Sequence, residues 1–186
     1  MHLLKSGWST LKCIYTNYRG TSLLKPIRSF KVRDDCIIMS LKLKEMWKVR
    51  KDFKVAFSSN MLLSSWLIFL LFRRRLCFVL KNQKGSIMAY MFFMFNENEF
   101  KNNYIHASEL FAASGFLNTG VGAIIESEVL HYLQVESSLN GVMARVTITN
   151  KNAYKLIEYN GFEVLSKYFD SKINQHRAYV LKKFER

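Results

Sequence analysis

Two stretches of this 186-residue chain carry residue types at spacings that could do chemistry. The first is Asn118-Thr119-Gly120-Val121-Gly122-Ala123, immediately ahead of an apolar-periodic segment. Gly120 and Gly122 let the backbone turn sharply and leave its amide N–H groups uncovered by side chains. A helix beginning there presents unpaired N–H groups and the positive end of its dipole. Together these features suit a pyrophosphate. The same spacing also reads as an ordinary helix start, because a bare Gly-x-Gly is a weak motif. The second stretch runs from Asn150 to Phe162. Asn150 is placed to cap a short helix, Gly161 to supply a left-handed C-cap, and Phe162 to pack the next strand beneath it. Cap and core roles account for Ala153, Gly161 and Phe162 whatever the function.

These residues need elements to position them. Leu76 to Leu80 and Ser86 to Phe95 read as strands joined by the polar turn Lys81-Asn82-Gln83-Lys84-Gly85. The second is apolar almost throughout, as a strand covered on both faces should be. Tyr104 to Ala113 is a third strand, carrying His106 and Glu109, which strict alternation sets on opposite faces. Val121 to Glu136 is a helix with Val121, Ile125, Val129, Tyr132 and Leu133 on one stripe. Val142 to Ile148 alternates as a strand, Lys151 to Asn160 is a short helix, and Phe162 to Phe169 with Arg177 to Phe184 forms a closing hairpin. Upstream the pattern is weaker. Residues 1–27 read as an extension or as a first strand and loop, and Arg28 to Arg33 as a short strand. Asp34 and Asp35 then stand as N-caps for a helix near Cys36 to Lys51, with a strand at Ile37 to Leu43 as the rival.

The glycine turn before a helix, the strand ending in Asn150, and the short helix closed by Gly161-Phe162 follow one another in a specific order. From about residue 77 to 186 this order resembles the acetyl-CoA-binding half of the GNAT N-acetyltransferases. The resemblance implies an α/β fold, a mixed GNAT-type sheet of about six or seven strands flanked by helices. It implies an acyltransferase domain over 28–186, following residues 1–27, with a cofactor-binding half at about 104–162. Acetyl-CoA is then the acyl donor. Its pyrophosphate would lie on Asn118, Thr119, Gly120, Val121, Gly122 and Ala123. Its pantetheine would run beside Asn150 and along the backbone of Phe111, Ala112 and Ala113, in a gap where two strands splay. Two positions depart from the family pattern. The leading Gln or Arg of the loop is Leu117, and the tyrosine seven residues after the asparagine is Ile157.

Acetyl transfer to an amine needs a base for the incoming ammonium and an acid for the departing thiolate. On the resemblance Glu109 is the base, with His106 as the alternative. Tyr154, one helical turn before Ile157, substitutes for the missing acid, while Tyr159 is rotated away. His106 and Tyr154 also read as structural residues. No Cys–His pair is spaced for a covalent intermediate, so transfer is direct. The acceptor class stays open between an amino-sugar nucleotide, which the run from Asn150 to Tyr168 loosely suggests, and a peptide amine. Leu117 and Ile157 keep a second function open: a GNAT-like fold with weakened turnover, or a basic module for nucleic acid or anionic lipid.

Composition bounds these readings. The formal net charge of +14 lies wholly in residues 1–90, with eighteen Lys or Arg against four Asp or Glu, while residues 91–186 hold ten of each. Such a field suits an anionic acceptor. Nucleic acid is disfavoured by the lack of a zinc, RRM or helix-turn-helix signature. Cys13, Cys36 and Cys77 form neither a disulfide framework nor a metal pattern, which points to a reducing compartment, the cytoplasm, and to no metal site. Val55 to Phe72 lacks a charge, but its serines and its short apolar stretch Trp66 to Phe72 read as a core helix capped by Ser58 or Ser59 rather than a membrane span. Peripheral membrane contact stays open. The N-terminus has no long apolar segment of secretory type.

Overall fold

The computed structural model describes residues 2–33, 36–171 and 173–185. The elements run α1 (His2–Gly20), β1 (Phe30–Arg33), β2 (Cys36–Ser40), α2 (Met46–Phe57), α3 (Leu63–Leu76), β3 (Cys77–Asn82) and β4 (Ile87–Met94). They continue with α4 (Glu97–Phe100), β5 (Tyr104–Ala112), α5 (Val121–Glu136), β6 (Gly141–Thr147), α6 (Lys151–Tyr159), β7 (Glu163–Asp170) and β8 (Gln175–Lys183). The eight strands form one sheet in the order β1-β2-β3-β4-β5-β6-β8-β7. Every pairing is antiparallel except that of β5 with β6. The fold is the expected mixed α/β sheet flanked by helices, with one strand more than the upper expected count.

The difference lies upstream of Leu76. The helix expected over Cys36 to Lys51 is divided. Cys36–Ser40 is the rival strand, paired with β3 and burying Ile38, and the helix begins only at Met46. The Asp34 and Asp35 caps lie outside the described residues. Ser58 is not an N-cap: at φ 53° it closes α2 in the left-handed region, and α3 begins five residues later at Leu63. The uncharged run from Val55 to Phe72 is therefore split between two helices. Among the described residues no helix is long and apolar enough to cross a membrane. Residues 2–20 are helical, where a strand and loop was one alternative.

Both faces of the sheet are covered. Tyr90, Phe92 and Phe111 face α2 and α3, where Phe53 meets Phe111 edge-on and Phe69 packs on Phe92. On the opposite face Phe78 and Phe93 pack with Tyr132 of α5. The wholly apolar reading of β4 follows from this double cover: residues Ala89 to Phe93 are all at 0% exposure.

Candidate active site

β5 and β6 pair only from Tyr104 to Ala107 against Gly141 to Ala144. Beyond these residues the strands part. Glu109 to Ala112 keep β4 on one side, Arg145 to Thr147 keep β8, and the facing edges are left without a strand partner. A cleft fills the gap. Its wide end, about 770 Å³, is lined by Phe111, Ala112, the whole run Phe116 to Ala123, Asn150 and Tyr159. Its narrow end, about 240 Å³, is lined by Ser108, Glu109, Glu126, Arg145, Ile157 and Arg177 among others. Phe57, Leu110, Asn150, Ala153 and Leu156 line both.

The loop at the wide end owes its shape to left-handed residues. Asn118 has φ 60° and Gly120 φ 80°, and Thr119 Oγ1 donates to the Phe116 carbonyl at 2.7 Å. Gly120 is the N-cap of α5, its carbonyl accepting from Ala123 and Ile124, so the first-turn amides of Val121 and Gly122 face outward at the positive helix end. A Cβ built at Gly120 or Gly122 meets nothing within 4 Å, so the space beside these amides is open and a side chain would enter it. Behind the loop Asp52 of α2 serves as a brace. Its Oδ2 accepts from Tyr90 and Lys48 at 2.6 Å each, and its Oδ1 from Ser114 Oγ at 3.2 Å. Burial pushes the Asp52 carboxyl up, but these hydrogen bonds outweigh it and hold it below its ordinary value. Nothing in the sequence marks Asp52 as a brace, because the partners it ties together, Tyr90 and Ser114, are 38 and 62 residues away.

The expected site residues divide into two groups. Phe111, Ala112, Asn118 to Ala123, Asn150 and Glu109 come together on one cleft. Ala113 is buried beneath it, its amide bonded to the Met88 carbonyl at 2.8 Å. Tyr154 is not among the residues that line the cleft and packs, partly buried, against the core. His106 is 7% exposed, and its Nδ1 meets Glu99 Oε1 at 2.8 Å, the same oxygen that accepts from Tyr179 at 2.5 Å. Burial raises the Glu99 carboxyl, but the bonds from His106 and Tyr179 bring it below its usual value.

His106 and Glu109 do not lie on opposite faces. Phe92 pairs with Glu109 and Phe93 with Ala107, so Ser108 is an extra residue bulged out of β5. The bulge breaks the alternation once and returns Glu109 to the face that carries His106. It also sets Glu109 where the strands part. There burial lifts its carboxyl to about 7, against the pull of the Ser108 hydrogen bond and the Arg177 charge. A carboxyl with this value at this place can exchange protons near neutral pH.

Sequence reasoning missed Arg145, Arg177 and Glu126. Arg177 Nη2 donates to the Arg145 carbonyl at 3.0 Å, and its Nε is buried without a partner among the described residues. Glu126 left a signal, since it is a carboxylate within an otherwise apolar stripe of α5. The arginines left none, because strand-borne arginines usually point to solvent.

No protein-family model matches the chain, and no curated protein is similar to it at a significant level. Solved structures are similar. The Escherichia coli ribosomal-protein-S18-alanine N-acetyltransferase superposes with a TM-score of 0.65 at 15% identity, over 81% of this chain and 95% of that one. The dodecameric spermidine N-acetyltransferase from Vibrio cholerae gives 0.64 at 12% identity, over 81% and 95%. A GNAT-family acetyltransferase from Bacillus anthracis gives 0.65 at 12% identity, over 87% and 100%. The chain has the GNAT fold, and these structural neighbours are acetyltransferases, the first two N-acetyltransferases.

Proposed function

We propose that this protein is an N-acetyltransferase that moves the acetyl group of acetyl-CoA directly to an amine. The observation that carries the reading is the parting of β5 and β6 beside an open, left-handed glycine loop at the start of α5. The residues present suit the donor. The open loop amides would take the pyrophosphate. The free edge of Phe111 and Ala112 would pair with the pantetheine like an added strand, with Ala113 held beneath and Asn150 closing the other side. Leu117 at the loop contributes apolar contact where the family pattern has a polar one.

Bound acetyl-CoA supplies the activated thioester. Glu109 accepts the proton of the incoming ammonium, directly or through a water. His106, tied to Glu99, supports that face of the sheet and is the alternative base. Arg145 and Arg177 line the narrow end, Arg177 with Asp170 as its ion-pair partner at 3.4 Å, and an acceptor carrying an anionic group beside its amine would be met there by the Arg145 charge. An amino-sugar nucleotide fits this description, and a peptide amine is the second class. We place the reaction in the cytoplasm, on the three unpaired cysteines among the described residues.

The test is thermal melting followed by an acceptor screen. Acetyl-CoA at about 100 times its dissociation constant stabilises a protein that binds it only when folded by roughly 2.7 kcal/mol. The expected result is such a shift, and acetylation of one class among amino-sugar nucleotides, peptide N-termini and polyamines. A melting curve indifferent to acetyl-CoA, together with binding of RNA or anionic liposomes, would leave a basic binding module instead.

A further inference from the structure

Glu126 is a buried acid that the transfer described above leaves unused. It is 4% exposed on α5, in a helix whose Val121, Ile125, Val129, Leu130 and Leu133 are also buried. It lines the narrow end of the cleft with Glu109 of β5, Arg145 of β6, Arg177 of β8 and Ile157 of α6. Its Oε2 accepts from Asn160 Nδ2, at the end of α6, at 2.9 Å. Desolvating a carboxyl is costly, and stability alone favours an apolar residue in this stripe. Burial raises its carboxyl to about 7, partly offset by the Asn160 hydrogen bond, so its protonated form is well populated at neutral pH.

We propose that Glu126 is the acid that protonates the departing sulfur of CoA, in place of the tyrosine whose position Ile157 occupies. The proposal rests on the acetyl-transfer reading. Ile157 and Glu126 reach the same narrow end from neighbouring helices, and Asn160, one turn after Ile157, ties the two helices together at that point. An acid lost from α6 is thereby supplied from α5. As the C–N bond forms, the thioester C–S bond breaks. Glu109 takes one proton from the ammonium and passes it to water, and the nitrogen loses its second proton to water. Glu126 gives its proton to sulfur and regains one from water. One proton is released in total, and nothing is oxidised or reduced.

Glu126→Gln keeps the size and the Asn160 contact and removes the transferable proton. Release of CoA thiol from acetyl-CoA, with water alone and with spermidine, an alanyl peptide or an amino-sugar nucleotide as acceptor, should fall about 10²–10⁴-fold in kcat, with the KM for acetyl-CoA little changed. The alkaline decline of kcat above pH about 7 in the parent should vanish. Adding Ile157→Tyr to Glu126→Gln should restore at least tenfold. A readout apart from turnover is calorimetric binding of CoA against desulfo-CoA: the parent should prefer CoA by about three- to tenfold, and Glu126→Leu should lose the preference. Parent-like turnover in Glu126→Gln, failure of Ile157→Tyr to restore it, or loss of turnover in Tyr154→Phe alone would each overturn the assignment. No acetyl-CoA binding by the parent would remove the acetyl-transfer reading itself.

Discussion

At the residue scale, two carboxyls line the narrow end of the cleft, one on β5 and one on α5, and burial raises both to about 7. Their duties differ by position. Glu109 stands on a bulged strand beside two arginines, where an incoming ammonium can reach it. Glu126 stands on a helix among apolar side chains, held by an amide. A base must be ionised to act, so activity dependent on Glu109 rises with pH through about 7. Glu109→Gln should remove that acid limb and lower kcat by about 10²–10⁴-fold, with acetyl-CoA affinity retained. A pH–rate profile of the variant checks this, and an unchanged limb would pass the role to another group such as His106.

At the element scale, the loop ahead of α5 and the helix α1 make separable demands. Gly120 lies at φ 80°, so a valine there strains the backbone and also crowds the loop. Gly122 has ordinary helical backbone and open space, so Gly122→Val should leave the melting temperature nearly unchanged while weakening acetyl-CoA binding at least tenfold. Gly120→Val should lose both. Calorimetric titration beside thermal melts separates the two, and full affinity in folded Gly122→Val would place the phosphates elsewhere. Helix α1 is fastened by Asn17, whose Oδ1 accepts from the Phe95 amide at 2.8 Å and whose Nδ2 donates to the Phe95 carbonyl at 3.2 Å. Gly20 lies so close to the Phe95 ring that a Cβ there would clash at 2.3 Å. Asn17→Ala leaves both backbone groups of Phe95 short of a partner and should destabilise the protein by about 2–3 kcal/mol in denaturant titration. A loss within about 0.5 kcal/mol would mean that α1 is not coupled to the sheet.

At the scale of the whole molecule, the buried carboxyls give stability a direction in pH. Glu109 and Glu126 bind protons more tightly folded than unfolded, so their contribution is complete below the ordinary carboxylate value and is lost as pH rises towards about 7. For Glu126 the loss is on the order of 3 kcal/mol. Asp52 and Glu99 are held below their ordinary values and act oppositely, stabilising above the unfolded value and failing as the solution becomes more acid. The melting temperature should therefore peak near pH 5 and decline towards pH 8. Glu126→Gln should flatten the decline and melt higher than the parent at pH 8. A parent profile flat from pH 5 to 8 would show that these carboxyls are hydrated.

The sequence alone determined the C-terminal half of the fold and the glycine loop, because there the signals are local. Helical spacing from Val121, period-two alternation from Val142, and caps at Asn150 and Gly161 each act within a few residues, and the structure places α5, β6 and α6 within one residue of the expected bounds. Asn150 caps α6 as expected, its Oδ1 accepting from Ala153 at 3.2 Å. Upstream, short apolar runs satisfy helix and strand periods alike, and pairing with β3 decided Cys36–Ser40. The bulge at Ser108 is invisible in sequence because it exists only against β4, yet it decides which face Glu109 occupies. The relation of Glu126 to Ile157 likewise depends on long-range placement: the end of α6 reaches α5 through the Asn160–Glu126 bond, and both residues line the narrow end. Local patterning decides where elements begin and end. Which side chains meet in the cleft is decided by long-range pairing and by the point where β5 and β6 part, since no residue's own neighbourhood in sequence contains that geometry.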